Sequence, residues 1–288
     1  MRLEPSELIL NADGSVYHLN LLPEDIADTV VLVGDPERVP QVSRYFDRVR
    51  LRKTKREFAT HTGTLRGREI TVLSTGIGTD NIDIVLNELD ALANIDLQTR
   101  LPREKLRTLD LVRIGTCGAI QADIPVDTLI ASDRAAGFDG LLHYYRSESI
   151  QQADIQIALL EQLRWPVMQA VPYVVSADAS WTDRFRTPDM PAGLTATNPG
   201  FYAPQGRRLR LEAHSPGLLQ SLSDFRLGDI RITHLEMETA GILGMSALLG
   251  HRAASISAVL ANRITQAFSP DPQATVDRLI RQILDRIF

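Results

Sequence analysis

The chain has 288 residues, 44% hydrophobic and 23% charged, enough to bury a core and to exclude the disordered and collagen-like classes. A formal charge of −5 without a basic block argues against nucleic acid as a partner, yet leaves a small anion open to local arginine clusters. A single cysteine excludes an internal disulfide framework, Met1-Arg2-Leu3-Glu4-Pro5 lacks a signal-peptide layout, and no apolar run approaches membrane-spanning length, so a cytoplasmic protein without membrane contact is expected.

The first clear element is the β-branched run Thr29–Val33, which stops at Gly34-Asp35-Pro36 and predicts a buried parallel strand. Arg38 follows, ahead of an amphipathic segment with Val39, Val42, Tyr45 and Phe46. The N–H groups of a Gly-containing turn beside an arginine suit an anion, and a plain strand-to-helix turn with a surface arginine has the same sequence. Residues 48–75 predict a hairpin that turns at Arg66-Gly67-Arg68-Glu69. Gly76-Ile77-Gly78 then leads into a helical run through Ile82, Val85, Leu86, Leu89 and Leu92. The two glycines allow close backbone approach to a ligand, but the third glycine and the ribose-binding acid of a dinucleotide fingerprint are missing.

Residues 95–109 read as a polar insertion. The next strand, at 109–114, carries Arg113 among apolar residues and closes on Gly115-Thr116-Cys117-Gly118-Ala119. An arginine there is expensive unless its guanidinium meets an anion or a carboxylate, so Arg113 is a functional candidate, and Thr116 adds a hydroxyl at the same turn. Cys117 reads as a small buried hydrophobe, because no histidine lies near it in sequence to act as a base. A strand at 126–132, a helix at 150–164 and a strand at 170–177 come next. Residues 179–200 are Pro- and Asp-rich without a period and predict a covering loop, with Trp181 as a packing residue. In Phe201-Tyr202-Ala203-Pro204-Gln205-Gly206-Arg207, Gln205 and Arg207 offer donors and an acceptor suited to the polar edge of a base or amide.

Glu236-Met237-Glu238 sets two carboxylates two residues apart, on one side of an extended backbone, before an apolar run that reads as a buried helix. Acceptor-only groups in a pair suit the vicinal hydroxyls of a ribose. A solvated pair at a helix N-terminus, favoured by the macrodipole, has the same pattern. A last strand at 253–260 runs into Asn262-Arg263, and a closing helix holds Val276, Leu279, Ile280, Ile283, Leu284 and Ile287. Residues 1–288 thus read as one domain of alternating strands and helices.

Eight motifs follow one another in order: His18, Gly34-Asp35-Pro36-Glu37-Arg38, Arg56-Glu57-Phe58, Ser74-Thr75-Gly76-Ile77-Gly78, the segment from Arg113 to Ala119, that from Phe201 to Arg207, Glu236-Met237-Glu238, and Asn262-Arg263. In this the chain resembles the nucleoside phosphorylases over nearly its whole length, and the uridine phosphorylase branch most closely. The resemblance implies a single-domain, three-layer α/β/α fold with a mixed central sheet. It also implies phosphate-dependent cleavage of a pyrimidine nucleoside, uridine before others, to the free base and (deoxy)ribose 1-phosphate. Gly34, Arg38, Arg113 and Thr116 would bind phosphate, with Arg56 from a neighbouring subunit. Gln205 and Arg207 would read uracil and stabilise it as it leaves, with Phe201 against the base. Glu236, Met237 and Glu238 would hold the ribose, and His18 of the neighbour its 5′-hydroxyl. The catalytic set is then Arg113, Gln205, Arg207 and Glu238, with no nucleophilic side chain.

Purine-type relatives place an Asp where this chain has Asn262-Arg263, which favours a pyrimidine here. The partners implied are nucleoside, phosphate and other copies of the chain, as a dimer or a hexamer with active sites shared across the dimer interface. No cofactor and no metal ligand is expected beyond inorganic phosphate as co-substrate. Some relatives hold a monovalent cation near the positions of Glu57, Ile77 and Asn81, and Asn81 replaces their Ser. The insertions near 98–108 and 179–199 lengthen loops, the second beside the base pocket. Two rival readings are a nucleosidase that uses water, against which the arginines speak, and an inactive nucleoside-binding protein.

Overall fold

Residues 2–288 are described in the computed structural model. The run Thr29–Val33 is strand β1, and every one of its residues is buried, as a strand covered on both faces requires. Helix α1 (Arg38–Ser43) follows, then a three-stranded meander of β2 (Arg48–Lys55), β3 (Phe58–Leu65) and β4 (Arg68–Ser74). The hairpin expected over 48–75 thus has an extra strand, because the Arg-rich stretch before Arg56 pairs with β3 while pointing alternate residues at solvent.

Helix α2 (Thr79–Asn94) buries Ile82, Val85, Leu86, Leu89 and Leu92, the spacing of one helical face. The polar insertion after it is a minimal hairpin, β5 (Ile95–Asp96) with β6 (Leu101–Pro102). Strand β7 (Asp110–Ala119) runs on through the segment expected to turn at Gly115, so Thr116 and Cys117 are strand residues. Next come β8 (Leu129–Gly137), α3 (Ala153–Gln162) and β9 (Tyr173–Ser176). Residues 179–200 are not the expected loop: they form helix α4 (Ala179–Phe185) and strand β10 (Ala192–Thr197). Trp181 does pack, donating its indole N–H to the Leu111 carbonyl at 2.8 Å and meeting Phe185 edge-on at 4.9 Å.

The chain ends with α5 (Leu218–Asp224), β11 (Arg226–Leu227), β12 (Ile230–Glu236), α6 (Thr239–Leu249), β13 (Arg252–Asn262), β14 (Ala267–Phe268) and α7 (Pro272–Arg286). Among the described residues, twelve strands join in one mixed sheet in the order β11-β12-β10-β8-β13-β7-β1-β4-β3-β2, with β9 on β8 and β14 on β13. Val30 and Leu32 face α2 and α6, while Val31 and Val33 face α1, α4 and α7, which makes three layers. A smaller core under α3 and α5 covers β10 and β12. β12 also pairs with the far end of β7, His234 opposite Ala119 and Leu235 opposite Gly118, so that β7, β13, β8, β10 and β12 close a ring. That closure carries the end of β12 to the end of β7. No helix among the described residues is long and apolar enough to cross a membrane.

His234 on β12 is enclosed within this ring. Its Nε2 lies 3.0 Å from the Thr195 hydroxyl and its Nδ1 2.9 Å from that of Thr233. Burial pushes its pKa from 6.5 down to about 4, with Glu236 working in the opposite direction. The unfolded chain therefore takes up this proton first as the pH falls, so stability declines from about pH 6.5 and this contribution levels off near pH 4. We expect the urea midpoint to fall over that window, and to fall less steeply in His234→Gln. Equal slopes in the two proteins would contradict the assignment.

Candidate active site

Arg113 is the centre of the site. Its neighbours in the sheet are Leu32 on β1 and Ser255 on β13, and its side chain is buried. The guanidinium meets carboxylates: Nη2 donates to Glu238 Oε2 at 2.6 Å and lies 3.1 Å from Glu236 Oε2, while Nη1 donates to the Ser257 hydroxyl at 3.2 Å. Burial works against its charge, but Glu236 and Glu238 outweigh it and hold the group protonated more firmly than usual. Gly115 makes this possible. It shares a face with Arg113, and a Cβ there would stand 1.7 Å from Nη1.

The two glutamates sit where β12 meets α6, at the junction read from the sequence. Glu236 turns inward. Its Oε1 accepts from the Thr197 hydroxyl at 2.5 Å, and its Oε2 from the N–H groups of Glu238 and Thr239, each at 2.8 Å. Glu238 links the start of α2 to β7, accepting from the Gly78 N–H at 2.8 Å as well as from Arg113. Burial raises its pKa, Arg113 opposes that and Glu236 adds to it. Met237 is half-buried between them.

Around this cluster stand the other residues expected to hold phosphate. Gly34 closes β1, with the Gly76 carbonyl 3.6 Å from where its Cβ would be. Arg38, the first residue of α1, reaches back to the Ile114 carbonyl at 3.4 Å. Its pKa is lowered by burial and then by the Arg113 charge, while Asp35 and Glu238 pull the other way. Thr116 is half-buried on β7 opposite Ala258.

The expected base-reading residues also come together. Gln205 is buried in the single turn Ala203–Gln205, and Gly206 leaves it in the left-handed region, φ +68°, packed so tightly on Leu219 that a Cβ would be 2.9 Å from that side chain. Arg207 doubles back, donating to Gln205 Oε1 at 2.5 Å and to the Phe201 carbonyl at 2.6 Å, with its guanidinium 3.7 Å from the centre of the Phe201 ring. Its pKa is pushed down to about 10 by burial and by the neighbouring Arg263. Two residues outside this turn hold it, a part that the sequence alone does not assign them. Arg263 donates to the Gln205 carbonyl at 3.1 Å, and the Asn198 amide clamps the Pro204 carbonyl at 2.8 Å. The Asn198-Pro199-Gly200 turn was the available signal for the second.

His18 and Arg56 form a separate group. His18 hydrogen-bonds Glu88 of α2 through Nδ1 at 2.7 Å, and Tyr17 lies between it, edge-on at 4.9 Å, and the Arg56 guanidinium at 5.6 Å. Among the described residues no hydrogen bond or ion pair joins either to Arg113 or Glu238. A cavity of about 350 Å³ lies behind the Gln205 turn, lined by Phe138, Trp165, Asn198, Pro204 and His214, and none of the expected ligand residues lines it.

Cys117 is enclosed, and burial raises its pKa far above the usual thiol value, so no thiolate nucleophile is present there. At the positions where some relatives hold a cation, the Asn81 amide donates to the Ile77 carbonyl at 3.2 Å.

The model of the phosphorylase superfamily matches residues 28–285. The chain belongs to that superfamily. A uridine phosphorylase of Thermococcus kodakarensis is 33% identical over 257 residues, 89% of this chain and 80% of the relative. That of Escherichia coli is 30% identical over 260 residues, 87% of each. Among solved structures, a Trypanosoma brucei nucleoside phosphorylase with uridine phosphorylase activity superposes with a TM-score of 0.87 at 29% identity, covering 97% of this chain and 98% of its own.

Gly115→Ala tests the central geometry. The added methyl must displace the Arg113 guanidinium from Glu238, so the melting temperature should fall, by the equivalent of about 1–3 kcal/mol for an overpacked site. Nucleoside turnover should fall with it. Unchanged stability and turnover would show that Arg113 has room that the structure denies it.

Proposed function

We propose that the chain is a nucleoside phosphorylase that cleaves uridine with inorganic phosphate to uracil and ribose 1-phosphate. The observation that carries this reading is the convergence of Arg113, Arg38 and Glu238, together with a preorganised Gln205–Arg207 turn. Uridine phosphorylases from two organisms and a structure with that activity support it.

In this mechanism Gly34, Arg38, Arg113 and Thr116 hold phosphate beside the anomeric carbon. Each charge-assisted hydrogen bond contributes about 1.5–3 kcal/mol, and alignment of the two reactants removes a further part of the barrier. Glu238 accepts the ribose hydroxyls, and Met237 packs against the sugar. As the C–N bond breaks, its electron pair passes to the uracil ring, the sugar becomes oxocarbenium-like, and a phosphate oxygen forms the new C–O bond. Arg207 and the Gln205 amide donate to the carbonyls of the leaving base, and Phe201 packs on its face. Arg207 already fixes the Gln205 oxygen, so the amide NH₂ is oriented before the base arrives. The proton that completes uracil comes from solvent.

The clustering of His18 and Arg56 around Tyr17, away from their expected ligands, supports a homo-oligomer in which these two enter the neighbour's site, Arg56 toward phosphate and His18 toward the 5′-hydroxyl. Inorganic phosphate serves as co-substrate with no other cofactor, and the compartment proposed is the cytoplasm.

The test is uracil release from uridine with and without phosphate. Release that requires phosphate supports the proposal, and release at the same rate without it identifies a nucleosidase. Arg207→Ala should lower kcat/KM for uridine about 10²–10³-fold, the scale of one lost transition-state donor, with little change in the KM for phosphate. Equal loss on both would contradict the role of Arg207.

A further inference from the structure

We infer that Glu236 is a positioning residue, not a ribose ligand: it fixes the α6 N-terminus and the Arg113 guanidinium and leaves the sugar to Glu238. The inference rests on the phosphorolysis reading and refines it. An ionised carboxylate offers about four lone-pair sites. Glu236 meets four groups of the protein: the Glu238 N–H, the Thr239 N–H and Arg113 Nη2 at 2.8, 2.8 and 3.1 Å fill Oε2, and the Thr197 hydroxyl at 2.5 Å occupies Oε1, so that no lone pair is left on Oε2 and one on a shielded Oε1. Its side chain is 1% exposed. Glu238 has one such partner on each oxygen, the Gly78 N–H and Arg113 Nη2, which leaves one lone pair on each for a pair of hydroxyls.

Thr197 completes the arrangement from β10. Its hydroxyl donates to Glu236 and accepts the Ala240 N–H at 2.9 Å. Three successive N–H groups at the start of α6, those of residues 238, 239 and 240, are thereby satisfied by two side chains from neighbouring strand ends. The helix terminus that points into the site is filled by the protein's own carboxylate, and the direction of the Glu238 backbone is set by it. The two glutamates of one short motif thus have different tasks. One is spent on the fold and one is left for substrate.

The experiment compares Glu236→Gln and Glu238→Gln with wild type, measuring kcat/KM for uridine and 2′-deoxyuridine and the KM for phosphate. Phosphate-dependent cleavage by wild type is the control, and its failure would sink the functional reading and not this one alone. For Glu236→Gln the expected result is a parallel loss of about tenfold or more on both nucleosides. Its uridine-to-deoxyuridine ratio should stay within about twofold of wild type, and its phosphate KM should rise because Arg113 loses a partner. Glu238→Gln should instead move the ratio toward one. A fall of that ratio in Glu236→Gln, with phosphate KM unchanged, overturns the inference. If Glu236→Gln fails to fold, Thr197→Val frees Glu236 Oε1 without touching Glu238. The same parallel loss is expected of it, and a shifted ratio is the overturning result.

Discussion

Arg113 lies in the middle of an apolar strand, between Leu32 on one neighbour and Ser255 on the other, and its charge has to be met there. Stripping water from a guanidinium costs several kcal/mol even after relaxation, and leaving one member of a buried ion pair unpartnered destabilises a protein by about 3–5 kcal/mol. The two carboxylates at the end of β12 meet that requirement, and much of the architecture follows from bringing them within reach. β12 must return to β7, which it does by pairing at Ala119 and Gly118. Residue 115 must lack a side chain, or the guanidinium has no space. The α6 N-terminus must lie beside Glu236, which supplies the acceptors that its first N–H groups need.

The same constraint connects fold to chemistry. Glu238 joins Arg113 to the Gly78 amide, so β7, the end of β12 and the start of α2 are tied at one carboxylate. The Gln205 turn, proposed to read the base, is a module of its own, held by Asn198, Arg263 and the close seat of Gly206 on Leu219. Its hydrogen-bond partners are distinct from those of Arg113. Phe201 is 51% exposed, with the Arg207 guanidinium stacked over one face of its ring.

Much of the site could be read from local pattern. An arginine in an apolar strand demands an opposite charge, and the Glu-Met-Glu motif ahead of an apolar run announced the strand-to-helix junction where it is found. Local pattern does not tell which of two glutamates faces inward, because that depends on Thr197, nearly forty residues away on another strand. Residues 179–200 differ from the expected loop for a related reason. α4 is only two turns long, and apart from Leu194 β10 is built from Ala, Gly and Thr, with Thr233 crowding Gly193 so closely that a Cβ there would fall 2.5 Å from its methyl. Small residues chosen for close approach leave no hydrophobic period to find. The extra strand β2 was hidden by the opposite effect, a run of arginines on an edge whose outer face is solvated.

The central claim is that a phosphate ion held by the Arg113 cluster, and not water, forms the new bond to the sugar. Running the uridine reaction in ordinary water with phosphate carrying ¹⁸O at all four oxygens, and weighing the sugar product by mass spectrometry, tests it directly. Attack by phosphate oxygen predicts ribose 1-phosphate that retains all four labels, the bridging one included. Free ribose carrying oxygen from water, with the labelled phosphate left unconsumed, would contradict the account.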